Sequence, residues 1–483
     1  MPRILEPERL ARLAGDFDRS PAYLGLRNVL QELIGDGRIP VGTRLPSERA
    51  VALSLGLSRI TVARAYSELV DSGFASARRG AGTFAAVPID RRRAHDHALR
   101  PADRGGPEGA GFDLNCAASA ATPGVAAAYE RALAILPAYL AGDGYLPSGL
   151  PELRARIAGL YSRRGLPTGA DQIVVTSGAL SAISIIARAL SRPGDRLLVE
   201  SPVYPNAIEA LRAGGGRLVA SPLADALGDA GWDYPGIEAS LKQAAPRLAY
   251  LIPDFQNPTG FLMDDAGRER IARAMASTRT LAIVDETLQP TDLAGGPMPA
   301  PFATFASDAF TVGSVSKIFW GGLRVGWIRA PREFVARLID ARVHVDLGSS
   351  LFDQLVTLQL LDDDAVLAQR RLALRAQRDA LAQALREHLP DWRFRLPRGG
   401  LSLWVRLPSG SATGLASLLE ADGVYLAPGP VFGVEGGGDQ WLRLPYARPA
   451  EELVGAVQRI AAAWSGAGAP RRRGGGVAPV LIA

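Results

Sequence analysis

The sequence predicts a multidomain protein with a small helix-turn-helix unit that carries a β-hairpin wing, followed by a large α/β body. Residues 15–87 show helical patterns that end in two short β-like runs, and residues 112–465 alternate apolar β-like runs with helical patterns. Residues 88–111 are polar, charged and rich in glycine and proline, which is typical of a linker. Residues 466–483 have the composition of a disordered tail.

The composition excludes several classes of protein. Hydrophobic residues make up 47% of the chain and charged residues 21%, as in globular proteins. No apolar run approaches the roughly 18 residues of a membrane span, and the N-terminus lacks the regions of a signal peptide. A single cysteine, Cys116, suits a reducing cytoplasm, so we expect a cytoplasmic protein. The 4 histidines have no metal-ligand spacing, so no metal site is expected.

The front unit follows helix signals in order. A helical apolar pattern covers Pro21–Ile34. Ser47 is a good N-cap for a short helix that ends near Leu55, and Ser58 is a good N-cap for a second helix from Arg59 to about Ser72. Two short helices joined by a tight glycine-containing turn predict a helix-turn-helix.

The second helix and the wing carry the residues expected to contact DNA. In a helix-turn-helix the N-terminal residues of the second helix enter the major groove, which favours Arg59, Thr61 and Arg64. Arg79 and Gly80 at the wing tip are expected to approach the backbone or the minor groove. The net positive charge of residues 1–110 is compatible with this. The alternative is a small helical domain whose arginines are merely solvated.

One lysine in the body points to covalent chemistry. The chain has two lysines, Lys242 and Lys317, and Lys317 lies among small residues in Gly313-Ser-Val-Ser-Lys317. A lysine amine attacks a carbonyl once it is neutral, whereas an arginine guanidinium stays protonated. The alternative is a surface lysine that was kept by chance.

Other body residues fit one site for pyridoxal phosphate, which needs an amine, an acid for its ring nitrogen, a phosphate cup and an aromatic plate. Taken singly, each has a structural alternative, such as a helix cap, a tight strand–helix turn or a core aromatic. The predicted acid is Asp285, the phosphate cup is Gly178, Ala179, Ser314 and Arg324, the aromatic is Tyr204, and the donor to the ring hydroxyl is Asn257.

The front unit resembles a known DNA-binding family. Three motifs resemble the winged helix-turn-helix of GntR-type bacterial regulators: Leu45-Pro-Ser-Glu-Arg-Ala, Leu55-Gly-Leu-Ser-Arg-Ile-Thr-Val and Gly80-Ala-Gly-Thr-Phe. The resemblance implies DNA contacts from Arg49, Arg59, Thr61 and Gly80. Many family members have an arginine two residues after the position of Thr61, where this chain has Ala63 followed by Arg64, so the operator sequence does not carry over.

The body is similar to fold-type I aminotransferases, which have a smaller C-terminal α+β subdomain. Six motifs and residues occur in the family's order: Gly144-Tyr145-Leu-Pro-Ser-Gly, Asn257-Pro-Thr-Gly, Asp285, Ser314-Val-Ser-Lys317, Arg324 and Trp441-Leu-Arg443-Leu. The resemblance implies that Tyr145 reaches the cofactor phosphate of a partner subunit, and therefore a homodimer. It also implies that Arg443 binds a substrate α-carboxylate.

A winged helix-turn-helix joined by a linker to such a body resembles the MocR group of the GntR regulators. We therefore expect a dimeric regulator that binds operator DNA, carries pyridoxal phosphate as an aldimine on Lys317, and senses an amine, an amino acid or the cofactor itself. One alternative is a working aminotransferase. Thr287 stands where that family usually has a tyrosine soon after the acid, which argues mildly against it. Another alternative is a regulator whose body is only a dimerisation scaffold.

Overall fold

The computed structural model describes residues 4–35, 37–78, 81–86, 111–228, 231–420 and 422–468. Arg79 and Gly80 of the predicted wing tip, residues 88–110 of the predicted linker and most of the predicted tail lie outside these ranges. The last helix continues to Gly468, three residues into the segment that was expected to be a disordered tail.

The head is a four-helix unit with a two-stranded wing. Its elements are α1 (Pro7–Ala14), α2 (Ala22–Gly35), α3 (Glu48–Leu55), α4 (Arg59–Asp71), β1 (Ala75–Arg78) and β2 (Gly82–Ala85). Strands β1 and β2 pair antiparallel. Helix α1 precedes the predicted start at residue 15, and its Leu10 and Ala14 pack into the same core as α2, α3 and α4. The head's hydrophobic core therefore begins N-terminal to the boundary predicted from sequence.

Capping fixes the two helices of the helix-turn-helix. The Ser47 hydroxyl accepts a hydrogen bond from the Ala50 N–H at 3.3 Å, and the Ser58 hydroxyl accepts one from the Thr61 N–H at 3.0 Å. Between the helices Gly56 has φ 64°, the left-handed conformation that favours glycine at a helix end. The predicted caps and turn are confirmed.

The large part of the body is built around one sheet. Its elements in chain order are β3 (Phe112–Asp113), α5 (Val125–Ile135), α6 (Pro151–Arg163), β4 (Ile173–Thr176), α7 (Ala179–Leu190), β5 (Arg196–Ser201), α8 (Pro205–Ala213), β6 (Arg217–Pro222), α9 (Tyr234–Ala244), β7 (Leu248–Leu251), α10 (Asp265–Thr278), β8 (Leu281–Asp285), β9 (Phe310–Ser314), β10 (Gly326–Arg329), α11 (Arg332–Val343) and α12 (Leu351–Leu360). Strand β3 lies outside the sheet.

The sheet has seven strands in the order β4-β10-β9-β8-β7-β5-β6, and only β10 runs antiparallel to its neighbours. Successive side chains of a strand face opposite sides. In β5, Leu198 accordingly lies in one hydrophobic core and Leu197 and Val199 in the other. Helices cover both faces, as expected for a sheet whose strands are nearly continuous apolar runs.

A smaller C-terminal subdomain completes the body. It contains α13 (Asp364–His388), β11 (Arg393–Phe394), β12 (Ser402–Arg406), α14 (Ala412–Glu420), β13 (Val424–Tyr425), β14 (Ala427–Pro428), β15 (Trp441–Pro445) and α15 (Ala450–Gly468). Four strands form a sheet in the order β11-β12-β15-β14, and β13 pairs in parallel with the distant β3. The subdomain is therefore built from two separate stretches of sequence. None of the described helices has the length and apolarity needed to cross a membrane.

Candidate functional site

A cavity of about 260 Å³ lies beyond the carboxyl ends of the parallel strands, where open α/β sheets bind ligands. It brings together eight of the body residues that the sequence singled out: Ala179, Tyr204, Asn257, Asp285, Ser314, Lys317, Arg324 and Arg443. These residues come from both the large sheet and the subdomain, so the cavity lies at their junction.

Lys317 follows β9 and is half-buried in this cavity. Its Nζ donates a hydrogen bond to the Ala117 carbonyl at 3.0 Å. The pKa of Lys317 is lowered, first because its surroundings are desolvated and also because Arg443 and Arg324 repel its charge. A lowered pKa increases the neutral fraction of the amine near pH 7, and only the neutral amine attacks a carbonyl.

Asp285 is the last residue of β8 and is 4% exposed. The Tyr250 hydroxyl donates to its Oδ2 at 2.7 Å, and the Thr287 N–H donates to its Oδ1 at 2.9 Å. Burial raises the pKa of Asp285, and these two donors oppose the rise. Asp285 thus lines the cavity with a carboxyl group that two hydrogen bonds hold in place. A buried carboxyl group of this kind is suited to pair with a protonated ring nitrogen. Tyr250 was missed from the sequence, because a hydroxyl in a buried strand gives no sign of its partner.

The N-terminus of α7 forms an anion cradle. Gly178 precedes the helix with φ 104°, and no side chain caps the helix. A Cβ on Gly178 would lie 2.7 Å from Arg324 Nη2, so the glycine allows this guanidinium to approach the first turn. Arg324 Nη2 donates to the Ser177 carbonyl at 3.0 Å. Uncapped helical N–H groups beside a guanidinium fit a phosphate group.

Arg443, on β15, is 2% exposed. It donates through Nη2 to the Asn115 carbonyl and through Nη1 to Asn257 Oδ1 at 3.5 Å, and its Nε has no hydrogen-bond partner within the described ranges. Burial lowers the pKa of Arg443 to about 10. No carboxylate of the described residues lies within ion-pair distance of it, so this buried cation matches the carboxylate of a ligand.

Two remaining predicted residues differ in placement. Tyr204 lines the cavity at the start of α8, and burial raises its pKa to about 12. Tyr145 does not line the cavity and is 63% exposed. Within one chain Tyr145 therefore has no contact with the site.

One segment that lines the cavity was not predicted from the sequence. Asn115, Cys116 and Ala117 line it, together with Phe255 and Ser402. Asn115 and Ala117 act through backbone carbonyls, which any residue type supplies, so no side-chain pattern marks them. Cys116, the one cysteine of the chain, was the available signal.

The predicted DNA-binding residues of the head differ in exposure and in their contacts within the head. Arg59 is 75% exposed, with its Nε 3.5 Å from Glu48. Arg49 is exposed on α3, and the Thr61 hydroxyl is hydrogen-bonded to the capping Ser58 at 2.8 Å. Arg64 lies 3.6 Å over the ring of Tyr23 and donates to its hydroxyl at 2.8 Å. Of these side chains Arg59 is the most available at the tip of α4.

Comparisons with known proteins agree with this architecture. Residues 141–460 match the model of the aminotransferase class I and II family, and residues 22–85 match the model of the bacterial regulatory proteins of the gntR family. The chain is 30% identical to the 2-aminoadipate transaminase of Thermus thermophilus over 68% of this chain and 81% of that protein. It is 25% identical to the uncharacterized HTH-type transcriptional regulator YdfD of Bacillus subtilis over 88% of this chain and 92% of the relative.

Among solved structures, the chain is similar to LysN, the α-aminoadipate aminotransferase of Thermus thermophilus, in complex with N-(5'-phosphopyridoxyl)-L-leucine. The TM-score is 0.66 at 28% identity, covering 73% of this chain and 93% of that one. The body of this chain therefore belongs to the aminotransferase class I and II family. With its GntR head, the whole chain is a MocR-type member of the GntR family of transcription regulators.

Proposed function

We propose that this DNA-binding transcription regulator carries pyridoxal phosphate on Lys317 and responds to an amine, an amino acid or the cofactor itself. The observation that carries the proposal is the single cavity that holds Lys317, Asp285 and the guanidinium of Arg443, which has no carboxylate partner among the described residues. One amine, one carboxyl and one buried cation match the three separate needs of a pyridoxyl ring with a bound amino acid.

When bound, pyridoxal phosphate supplies an aldehyde that condenses with primary amines. The residues of the chain then divide the work of holding it. The first turn of α7 and Arg324 would bind its phosphate, Asp285 would hold the ring nitrogen, Tyr204 would pack beside the ring, and Asn257 would donate to the ring hydroxyl.

An amino acid would exchange with Lys317 for the cofactor and place its carboxylate against Arg443. A ligand shifts a protein between states only if it binds one state more tightly than the other. The contact of Arg443 with the Asn115 carbonyl is one that the ligand carboxylate would replace, so the liganded and unliganded states would differ at Asn115.

We also propose that the protein works as a homodimer. Tyr145 is exposed, and Leu133 and Leu140, which precede it closely in sequence, are 61% and 68% exposed. Large exposed apolar side chains are typical of subunit contacts when they cluster. Tyr145 would then reach the cofactor phosphate of the partner subunit.

The test of the cofactor proposal is optical. Purified protein with added pyridoxal phosphate is expected to show a visible or near-ultraviolet band that borohydride fixes to the protein, and Lys317→Ala is expected to show none. Lys242→Ala is the matched control, because that lysine lies on a surface helix away from the cavity. A wild-type protein without the band would contradict the proposal.

The rate of cofactor capture should depend on pH. Since the pKa of Lys317 is lowered from its ordinary value, the reactive neutral amine increases as pH rises and reaches its full amount above that lowered pKa. Capture should therefore accelerate with rising pH and level off earlier than for free lysine. A separate assay distinguishes sensing from the competing enzymatic function. The cofactor-loaded protein is mixed with an amino acid and a 2-oxo acid, and multiple turnovers would indicate an aminotransferase.

A further inference from the structure

The recognition helix exposes an isoleucine at the position where DNA is read. Ile60 is 81% exposed and follows Arg59 in the first turn of α4. The core side of this helix is formed by Val62, Ala65, Tyr66 and Leu69. Ile60 and the exposed Arg64 and Ser67 lie opposite, at spacings of three and four residues that share one face of a helix.

The polar neighbours of Ile60 are largely engaged inside the head. Ser58 and Thr61 are hydrogen-bonded to each other at the helix cap. Arg64 is held by the ring and hydroxyl of Tyr23 and lies 3.4 Å from Glu68. Ile60 is left as a large apolar group at the tip of the helix. Single exposed apolar side chains are common, but this one lies where the helix-turn-helix meets base edges.

We propose that Ile60 determines operator specificity by contacting the methyl group of a thymine in the major groove. Among base edges in that groove, the thymine methyl is the apolar feature. Arg59 would contact an adjacent guanine or phosphate. This proposal rests on the DNA-binding part of the proposed function and adds the base that the chain reads.

The test uses the full-length protein and a duplex selected from random DNA. Each thymine of the selected half-site is replaced in turn by deoxyuridine, which removes only the methyl group. For wild type, one replacement is expected to weaken binding about fourfold, equivalent to the ~0.8 kcal/mol of one buried CH₂ group. For Ile60→Ala the same replacement should have no effect.

Leu53→Ala is the control, because Leu53 is 87% exposed on the preceding helix and should leave the methyl dependence unchanged. Methyl dependence that survives Ile60→Ala, or that is absent from wild type, would overturn the role of Ile60 while leaving DNA binding intact. Failure to select any duplex would instead overturn the DNA-binding function and this proposal with it.

A second inference concerns the segment that follows the linker. Asn115 accepts from Arg443 and Ala117 accepts from Lys317, both through backbone carbonyls. Just upstream, the Phe112 N–H donates to Gly423 at 2.8 Å and the Leu114 N–H donates to Tyr425 at 2.9 Å, within the β3–β13 pair. We call residues 112–117 the entry segment, because residues 87–110 join it to the head.

One anchor of the entry segment, Lys317, is the amine that the proposed cofactor would bond, and the other, Arg443, is the cation that a ligand carboxylate would bind. In the condensation, the aldehyde carbon bonds to Lys317 Nζ, and the aldehyde oxygen leaves as water with two amine protons. With the cofactor bonded, Lys317 Nζ would keep at most one proton to donate to Ala117, and an amino acid that takes the cofactor from Lys317 would return the amine to its free form. A ligand carboxylate that pairs with Arg443 competes likewise with Asn115. We infer that a ligand carboxylate on Arg443 releases Asn115 and so loosens the entry segment, to which the head is joined. This inference rests on the proposed function and names its regulation.

Hydrogen–deuterium exchange of peptides covering the entry segment tests the inference. The probe is N-(5'-phosphopyridoxyl)-L-leucine, which carries both a phosphate and a carboxylate, compared with pyridoxamine phosphate, which lacks the carboxylate. The leucine compound should accelerate exchange of the Phe112 and Leu114 amides about tenfold or more, since a hydrogen bond to a charged group contributes about 1.5–3 kcal/mol. Pyridoxamine phosphate should have a smaller effect.

Variants isolate the cause. The double variant Lys317→Ala/Arg443→Leu should exchange fast without any ligand, whereas Lys242→Ala should behave as wild type. Exchange that is unchanged or slower in the double variant, or in the wild type with bound leucine compound, would overturn the release. If a thermal shift shows that the leucine compound does not bind at all, the sensor function itself fails.

Discussion

Replacing Arg443 with leucine is expected to remove the response to amino acids while leaving the cofactor in place. Arg443 is buried and has no acidic partner among the described residues, whereas the phosphate cradle and Asp285 lie on other elements. Truncating one member of a buried hydrogen-bonded charge pair costs about 2–5 kcal/mol. The amino-acid affinity should therefore fall by roughly 30-fold or more by the same conversion.

The measurement is a titration of the cofactor band with an amino acid and with the matching amine that lacks the carboxylate. Arg443→Leu should weaken binding of the amino acid and leave binding of the amine unchanged. Arg443→Lys should give an intermediate result, because lysine keeps the charge but not the two-pronged geometry of the guanidinium. Equal losses for amino acid and amine would contradict carboxylate binding by Arg443.

Replacing Arg268 with methionine is expected to cause the largest loss of stability. Arg268 and Asp254 are both fully buried, and Arg268 Nη2 donates to Asp254 Oδ1 at 2.7 Å. The other guanidinium nitrogens donate to the carbonyls of Met263 and Ala300. Removing one partner of a buried ion pair leaves an uncompensated charge and costs about 3–5 kcal/mol. Asp254 begins the loop that carries Asn257, so the loss should also loosen that side of the cavity.

Chemical denaturation provides the measurement, and Arg270→Met provides the control. Arg270 lies two residues away in α10 and pairs with Glu238 at 2.5 Å on the surface, where solvent screens the pair and it contributes little to stability. Burial raises the pKa of Asp254, and Arg268 opposes that rise. Without Arg268, we expect the pKa of Asp254 in the folded protein to rise further. The loss in free energy of unfolding should therefore be largest at pH values above that pKa, where Asp254 is charged, and smaller as pH falls through it. Equal effects of the two variants would refute the argument.

The fold was largely predictable because local signals are strong. Serine caps at Ser47 and Ser58 and a left-handed glycine between them define the helix-turn-helix without any long-range information. The alternation of apolar strands with helices defines the α/β body in the same way. Helix α1 was missed although it has local helix signals, with Pro7 at its start, Glu8 in its first turn, Arg12 in its last turn and Gly15 after its end.

The cavity was predictable only where chemistry requires a particular side chain. Lys317, Asp285 and Arg443 stand out because few other residue types supply a reactive amine, a buried acid or a forked cation. The carbonyls of Asn115 and Ala117 carry no such mark, and their partners lie about 200 residues and 328 residues away in sequence. Tyr250 is hidden for a related reason, since its hydroxyl reaches Asp285 from a neighbouring strand.

Helix α13 has a consequence for how the body unfolds. It is 25 residues long, with Val366 in a core of the large sheet and Leu374, Leu381 and Leu385 in the core of the subdomain. The two ends of this helix pack into different cores. If one core unfolded while the helix stayed with the other, apolar side chains of the helix would be exposed. We therefore expect the subdomain and the large sheet to unfold together as one cooperative unit rather than as two independent domains.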